Sequence, residues 1–219
     1  MGLDIAGLKA VIFDMDGVLF HSSDCHEEAW RDVFQSVGIT DFSYTSIAGM
    51  RSDEAVRKIL AAHGHSVTEM LIEKLVTQKR KRALELLTVR GKVAEGSQTL
   101  IRQLNKRYQL VLASSASTPT VELFLKKSGS ADAFAFVLDG TAVKRAKPDP
   151  EIYRLALEKL SLAPEQAIVI EDAVSGIEAA QRASIAVLAL AGTETRETLT
   201  EAGAEIVVDR LSEIGAILL

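Results

Sequence analysis

"AVIFDMDGVLF", residues Ala10–Phe20, decides how the rest of the chain is read. Val11, Ile12 and Phe13 lead straight into Asp14, and Asp16 follows two positions later. Residues two apart on an extended chain share a face. Two carboxylates are therefore brought together at the end of a buried strand, where mutual repulsion and lost hydration both oppose them. A pair kept in such a place calls for a cation to balance it or a reaction that uses it.

Working outward, similar apolar runs recur near Gln109–Ala113, Phe134–Leu138, Ala167–Ile170, Ile185–Ala189 and Glu205–Val208. Helical patterns fill the gaps, among them Pro150–Leu160 and Ser175–Arg182. Continuous apolar strands separated by helices predict an α/β fold with a parallel sheet covered on both faces.

The stretch from Ser23 to Thr88 breaks this rhythm, with helical patterns and no convincing strand. One helix is predicted over Asp24–Val37, with Ala29, Trp30, Val33, Phe34 and Val37 on one face and Gly38 as its stop. A second follows Ser52, an N-cap candidate, and ends at Gly64; a third runs from near Thr68 to Leu87. The expected organisation is a core of residues 1–21 and 92–219 with an inserted helical cap at 22–91. Its hinges are expected near Phe20–Ser23 and Thr88–Gly96.

Bulk properties narrow the function classes. With 25 Lys and Arg against 30 Asp and Glu, the net charge of −5 leaves no basic footprint for nucleic acid. The densest basic run, Lys79-Arg80-Lys81-Arg82, is expected to be a solvated helix face. A lone cysteine, Cys25, cannot form an intrachain disulfide and suits a reducing compartment. The N-terminal MGLDIAGLK has no signal-peptide pattern, and Ala6 breaks a myristoylation motif. The longest apolar stretches, such as Ile185–Ala191, are too short to cross a bilayer. A soluble cytoplasmic monomer acting without nucleic acid or membrane is the expectation.

The strand ends carry the chemistry. "QLVLASSAS" closes a strand on Ser114 and Ser115, "KRAKPDPEIY" sets Lys147 before a Pro-Asp-Pro turn, and "AIVIEDAVSGIEAA" closes one on Glu171 and Asp172. Ligands of open α/β sheets sit at the carboxyl ends of the strands. Separately, each residue has an ordinary reading as a turn, cap or surface group. Together they place four carboxylates, a hydroxyl and a lysine in one cleft, a collection suited to a metal and a phosphate. Hard oxygen ligands favour Mg²⁺, while Ser114, Lys147 and backbone N–H groups suit phosphate oxygens. One aspartate could then attack phosphorus while the other moves the proton.

With "DMDGV" at Asp14–Val18, the serine at Ser114, "KPDP" at Lys147–Pro150 and "EDAVSGIEAA" at Glu171–Ala180, the chain resembles haloacid dehalogenase superfamily phosphohydrolases. Within that superfamily it is similar to the branch of β-phosphoglucomutase and sugar phosphatases. The resemblance implies a Rossmann-like core with a mobile helical cap, a small phosphate-ester substrate and Mg²⁺. By the same resemblance Asp14 is nucleophile and metal ligand, and Asp16 is acid/base and binds metal through its carbonyl. Ser114 and Lys147 hold the phosphate beside Ser115, and Glu171 and Asp172 complete the metal site. Dehalogenases lack an aspartate matching Asp16, which favours phosphoryl chemistry.

His26 shares a helix face with Ala29 and Trp30, and in this branch a matching histidine assists the acid/base aspartate. Arg51, in "AGMRSDEAV", is a candidate for reaching substrate from the cap; Lys79 loosely matches a substrate-contacting lysine. Three positions depart from the branch: Ser52 stands where the mutases carry arginine, His21 replaces an aspartate, and Ser184 replaces a glycine. The first favours a phosphatase over a phosphosugar mutase. A catalytically silent binding protein is the third alternative, although every core carboxylate is present.

Overall fold

β1 (Ala10–Phe13) has all four residues buried, so both of its faces need cover. The computed structural model, which describes residues 5–219, supplies it. The expectation of no leader falls partly on residues 1–4, outside the described residues. After β1 come β2 (Phe20–His21), α1 (Ser23–Gln35), α2 (Ser52–Ala62), α3 (Glu69–Arg90) and β3 (Lys92–Val93). Then follow α4 (Ser97–Leu104), β4 (Gln109–Ala113), α5 (Thr118–Ser128), β5 (Phe136–Leu138) and α6 (Glu151–Leu160). The chain closes with β6 (Ala167–Glu171), α7 (Val174–Arg182), β7 (Ala186–Leu190), α8 (Arg196–Glu201), β8 (Ile206–Val208) and α9 (Leu211–Leu218).

Six strands form a parallel, Rossmann-like sheet in the order β5-β4-β1-β6-β7-β8. Ala10 is in register with Gln109 of β4 on one side and Ala167 of β6 on the other. The chain moves outward through β4 and β5, then returns to β6 and moves the other way. The topology thus switches beside β1, and a crevice opens at the carboxyl ends of β4, β1 and β6.

Strand alternation divides the core. Val11 and Phe13 join Leu110, Leu112, Ile168 and Ile170 on one face, under α4, α5 and α9. Ala10 and Ile12 join Val111, Ala113 and Val169 on the other, under α6, α7 and α8. Fully burying a residue such as Phe13 stabilises by about 2–3 kcal/mol relative to exposure. The inserted helices have a cluster of their own, in which Trp30, Phe34, Val56, Leu60 and Leu75 meet. Near the sheet, Cys25, Ala29, Ala83, Leu86 and Leu87 join the core cluster instead.

Several boundaries differ from expectation for identifiable reasons. β5 begins at Phe136, because a 3₁₀ turn over Ala131–Ala133 leaves Phe134 buried but outside the ladder. β7 begins at Ala186, because Ile185 N–H turns back to Ala180 O at 3.0 Å and Ser184 N–H to Gln181 O at 2.8 Å. That is a Schellman stop, with Ser184 in its left-handed position at φ 62°. Arg51, not Ser52, is the N-cap residue of α2. The two-residue strands β2 and β3 pair antiparallel, Phe20 with Val93, where only hinges were anticipated. Among the described residues, no helix is long and apolar enough to cross a membrane.

Candidate active site

Asp14 leaves β1 with its N–H bonded to Ile170 O of β6 at 2.9 Å, so the sheet itself sets its position. Lys147 donates from Nζ to Asp14 Oδ1 at 2.5 Å, to Glu171 Oε1 at 2.8 Å and to Ala113 O at 3.1 Å. One ammonium therefore ties the ends of β1, β4 and β6 together. Both Glu171 oxygens are hydrogen-bonded: Oε1 also accepts from Tyr153 Oη at 2.9 Å, and Oε2 from the N–H groups of Asp172 and Ala173. Asp172 accepts from Thr193 Oγ1.

Two glycines make room for these carboxylates. A Cβ on Gly17, whose φ is +80°, would lie 1.7 Å from Asp172 Oδ2. A Cβ on Gly176 would lie 1.7 Å from Glu171 Oε1. No side chain fits either place, which gives the glycine after Asp16 a direct steric reason.

Asp16 has different company. Oδ1 accepts from Ser22 Oγ at 2.6 Å and lies 3.2 Å from His26 Nε2. Lys79 Nζ lies 3.2 Å from His26 Nδ1. An ammonium only donates, so Nδ1 accepts and the Nε2 proton faces Asp16. Lys79 is buried and sits 4.9 Å from the centre of the Trp30 ring. This corrects the expectation of a solvated basic face: Arg80 and Lys81 are exposed, whereas Lys79 turns inward.

The electrostatics separate the two aspartates. Burial is the largest influence on Asp14 and raises its pKa to about 7; Lys147 opposes this, while Glu171 and Asp16 add to it. Burial also pushes Asp172 well above the carboxylate range, helped by Glu171 and Asp14. For Asp16 burial acts upward too, but His26, Ser22 and Lys79 outweigh it and hold the group low. Burial and then Lys79 lower His26, and burial brings Lys79 down to about 8 against the pull of Asp16.

Asp14, Glu171 and Asp172 each offer an oxygen, all within 4.8 Å of one another. Three buried carboxylates meet one ammonium here, which leaves negative charge for a cation to balance. The donor set fits a hard divalent cation.

The remaining expected residues divide. Ser114 is buried at the end of β4, its Oγ accepting from Ala116 N–H at 3.0 Å. Ser115 lines the cleft together with Asp14, Asp16, His26, Trp30 and Lys79. Arg51 is absent from that lining although its neighbour Ser52 is present. Its guanidinium instead binds Asp53 and the backbone of residues 143 and 144. The cleft holds about 60 Å³. A groove of about 1140 Å³ between the β2–β3 ladder and α9 is far larger, yet it contains none of the clustered carboxylates. Sequence reasoning missed Ser22, Tyr153 and Thr193, which were concealed as ordinary hinge, helix and loop residues.

The sequence pattern of the haloacid dehalogenase-like hydrolases spans residues 8–184, and the chain belongs to that family. A phosphorylated carbohydrates phosphatase from Thermotoga maritima is 37% identical over 183 residues, covering 81% of this chain and 82% of that one. A validoxylamine A 7'-phosphate phosphatase from Streptomyces hygroscopicus subsp. limoneus is 33% identical over 210 residues, covering 94% and 95%. The crystal structure of a β-phosphoglucomutase from Clostridium difficile matches with a TM-score of 0.81 at 26% identity, over 96% of this chain and 97% of that one.

Proposed function

We propose that the protein is a Mg²⁺-dependent phosphatase of small phosphorylated metabolites, sugar phosphates foremost, working through an aspartyl-phosphate. The observation that carries this reading is the division between the aspartates. Asp14 is anchored to the sheet and to Lys147, whereas Asp16 two positions on is attached to a His26–Lys79 chain from the inserted helices. The names of the two phosphatase relatives support the substrate class.

A carboxylate oxygen of Asp14 attacks phosphorus as the bond to the ester oxygen breaks. Asp16 enters this step protonated and gives its proton to the departing oxygen; the adjacent phosphate dianion acts to raise its proton affinity. Asp16 then takes a proton from water, whose oxygen attacks phosphorus and breaks the bond to Asp14. Inorganic phosphate leaves and Asp14 is restored. Ser114 and Lys147 hold phosphate oxygens, and Ser115 forms the adjoining wall. Asp14, Asp172 and the Asp16 carbonyl would hold Mg²⁺, with Glu171 behind them; the ion supplies the positive charge that offsets carboxylates and phosphate.

In this reading the helices between β2 and β3, residues 22–91, act as the cap of a cytoplasmic monomer. A screen of phosphorylated metabolites with Mg²⁺ is expected to release inorganic phosphate, and folded Asp14→Asn to lose about 10⁴-fold or more. Substantial turnover by that variant would exclude the covalent route. With β-glucose 1-phosphate and a bisphosphate activator, accumulation of glucose 6-phosphate without phosphate release would make the protein a mutase instead.

A further inference from the structure

Arg51 is not idle outside the cleft. Its Nε and Nη2 donate to the two oxygens of Asp53, at 2.6 and 3.0 Å, which fixes the plane of the guanidinium. Nη1 then donates to Lys144 O at 2.7 Å and Val143 O at 3.3 Å, across to the sheet domain. One helical turn on, Glu54 Oε1 accepts from Ala146 N–H at 3.3 Å. From the other side, Glu151 accepts the N–H groups of Lys144 and Arg145, at 3.0 and 3.1 Å. The backbone just before Lys147 is thus gripped by the inserted helices and by α6 at once.

Three residues earlier, a second contact ties the same segment to the start of α7. Ser175 Oγ donates to Ala48 O at 2.9 Å, and Gly49 lies so near that a Cβ there would be 2.5 Å from Ser175 Oγ. The cleft beside this segment, lined by Ala48, Gly49 and Ser52, holds only about 60 Å³, too little to admit a sugar phosphate. This arrangement is a closed one, and these contacts must part for exchange.

We infer that Arg51 and Glu54 are positioning residues that latch the closed cap onto the backbone delivering Lys147, so that closure and phosphate capture are one event. The inference rests on the phosphatase reading, with its mobile cap. Arg51 acts through main-chain carbonyls and touches no substrate. Without the latch, the closed form is less populated and apparent affinity falls by that fraction. Saturating substrate restores closure.

The chain's single tryptophan, Trp30, lines the cleft and is buried, so acrylamide quenching reports closure without needing turnover. With Mg²⁺ and orthovanadate, Trp30 should be shielded in the unmodified protein and about twofold or more easier to quench in Arg51→Ala and Glu54→Ala. In phosphate-release assays the same variants should lose about tenfold in kcat/KM, the worth of a charge-assisted hydrogen bond, with most of the loss in KM. Arg51→Lys should recover part of both effects, since an ammonium can still reach one carbonyl. Unchanged quenching in both variants, or a loss confined to kcat, would overturn the latch. Failure of every phosphate ester in the screen would remove the phosphatase reading but leave the quenching difference standing.

Discussion

The floor and the roof of the cleft are built on different principles. Floor groups stand at the ends of β1, β4 and β6, where ladder hydrogen bonds and a fully buried Lys147 leave them no freedom. Roof groups stand on helices with a largely separate apolar cluster, tied to the floor by two short strands, a few side-chain hydrogen bonds and the apolar residues nearest the sheet. On the proposed phosphatase reading, the rigid floor would keep Asp14 aligned and a detachable roof would let substrate through. The difference predicts that damage to the floor abolishes turnover, whereas damage to the roof attenuates it.

The largest test concerns the floor's charge balance. Chelation should remove activity and Mg²⁺ restore it, while Ca²⁺ should inhibit, because its larger and looser coordination misplaces Asp14. Full activity in chelator would break the comparison at its base. Next comes the roof: His26→Ala severs Asp16 from Lys79 and should cost about 10–100-fold in kcat, the range for losing an orienting partner of a catalytic group. A loss as deep as that of Asp14→Asn would make the roof as indispensable as the floor.

Beneath the floor, Tyr153→Phe removes one of two donors from Glu171 Oε1 and should destabilise the fold by about 1 kcal/mol. Denaturant melts would read this, and activity should fall only a few-fold because Lys147 keeps its other contacts. The smallest effect lies away from the cleft. Ser184→Gly relieves a left-handed serine and should stabilise by about 1 kcal/mol with unchanged kinetics. A destabilised Ser184→Gly protein would show that its side chain contributes more than its backbone costs.

The same division explains what could be read in advance. Floor residues announce themselves because an apolar run ending in Asp14, Ser114 or Glu171 is an unusual local pattern, and strand order then gathers them. Lys79 is invisible to such logic: it lies within a run of basic residues, and only the fold turns it toward His26, 53 positions away. Tyr153 reads as a helix core residue, which it also is. β2 and β3 have two residues each, too few for any periodicity. Arg51 was anticipated as a substrate contact because its charge and its place in the insertion are local facts. The carbonyls it binds lie 92 and 93 positions away and leave no mark in its neighbourhood.

α3 meets β3 after only Gly91, and its 22 residues make a rod about 33 Å long. With a hinge at the small β2–β3 ladder, such a rod would act as a lever. A swing of about 10° at that fulcrum carries the far tip through about 6 Å, given the rise of an α-helix. On the proposed reading of a mobile cap, the same swing would shift Lys79, half-way along the rod and at the cleft, by about 3 Å, while the sheet stays still.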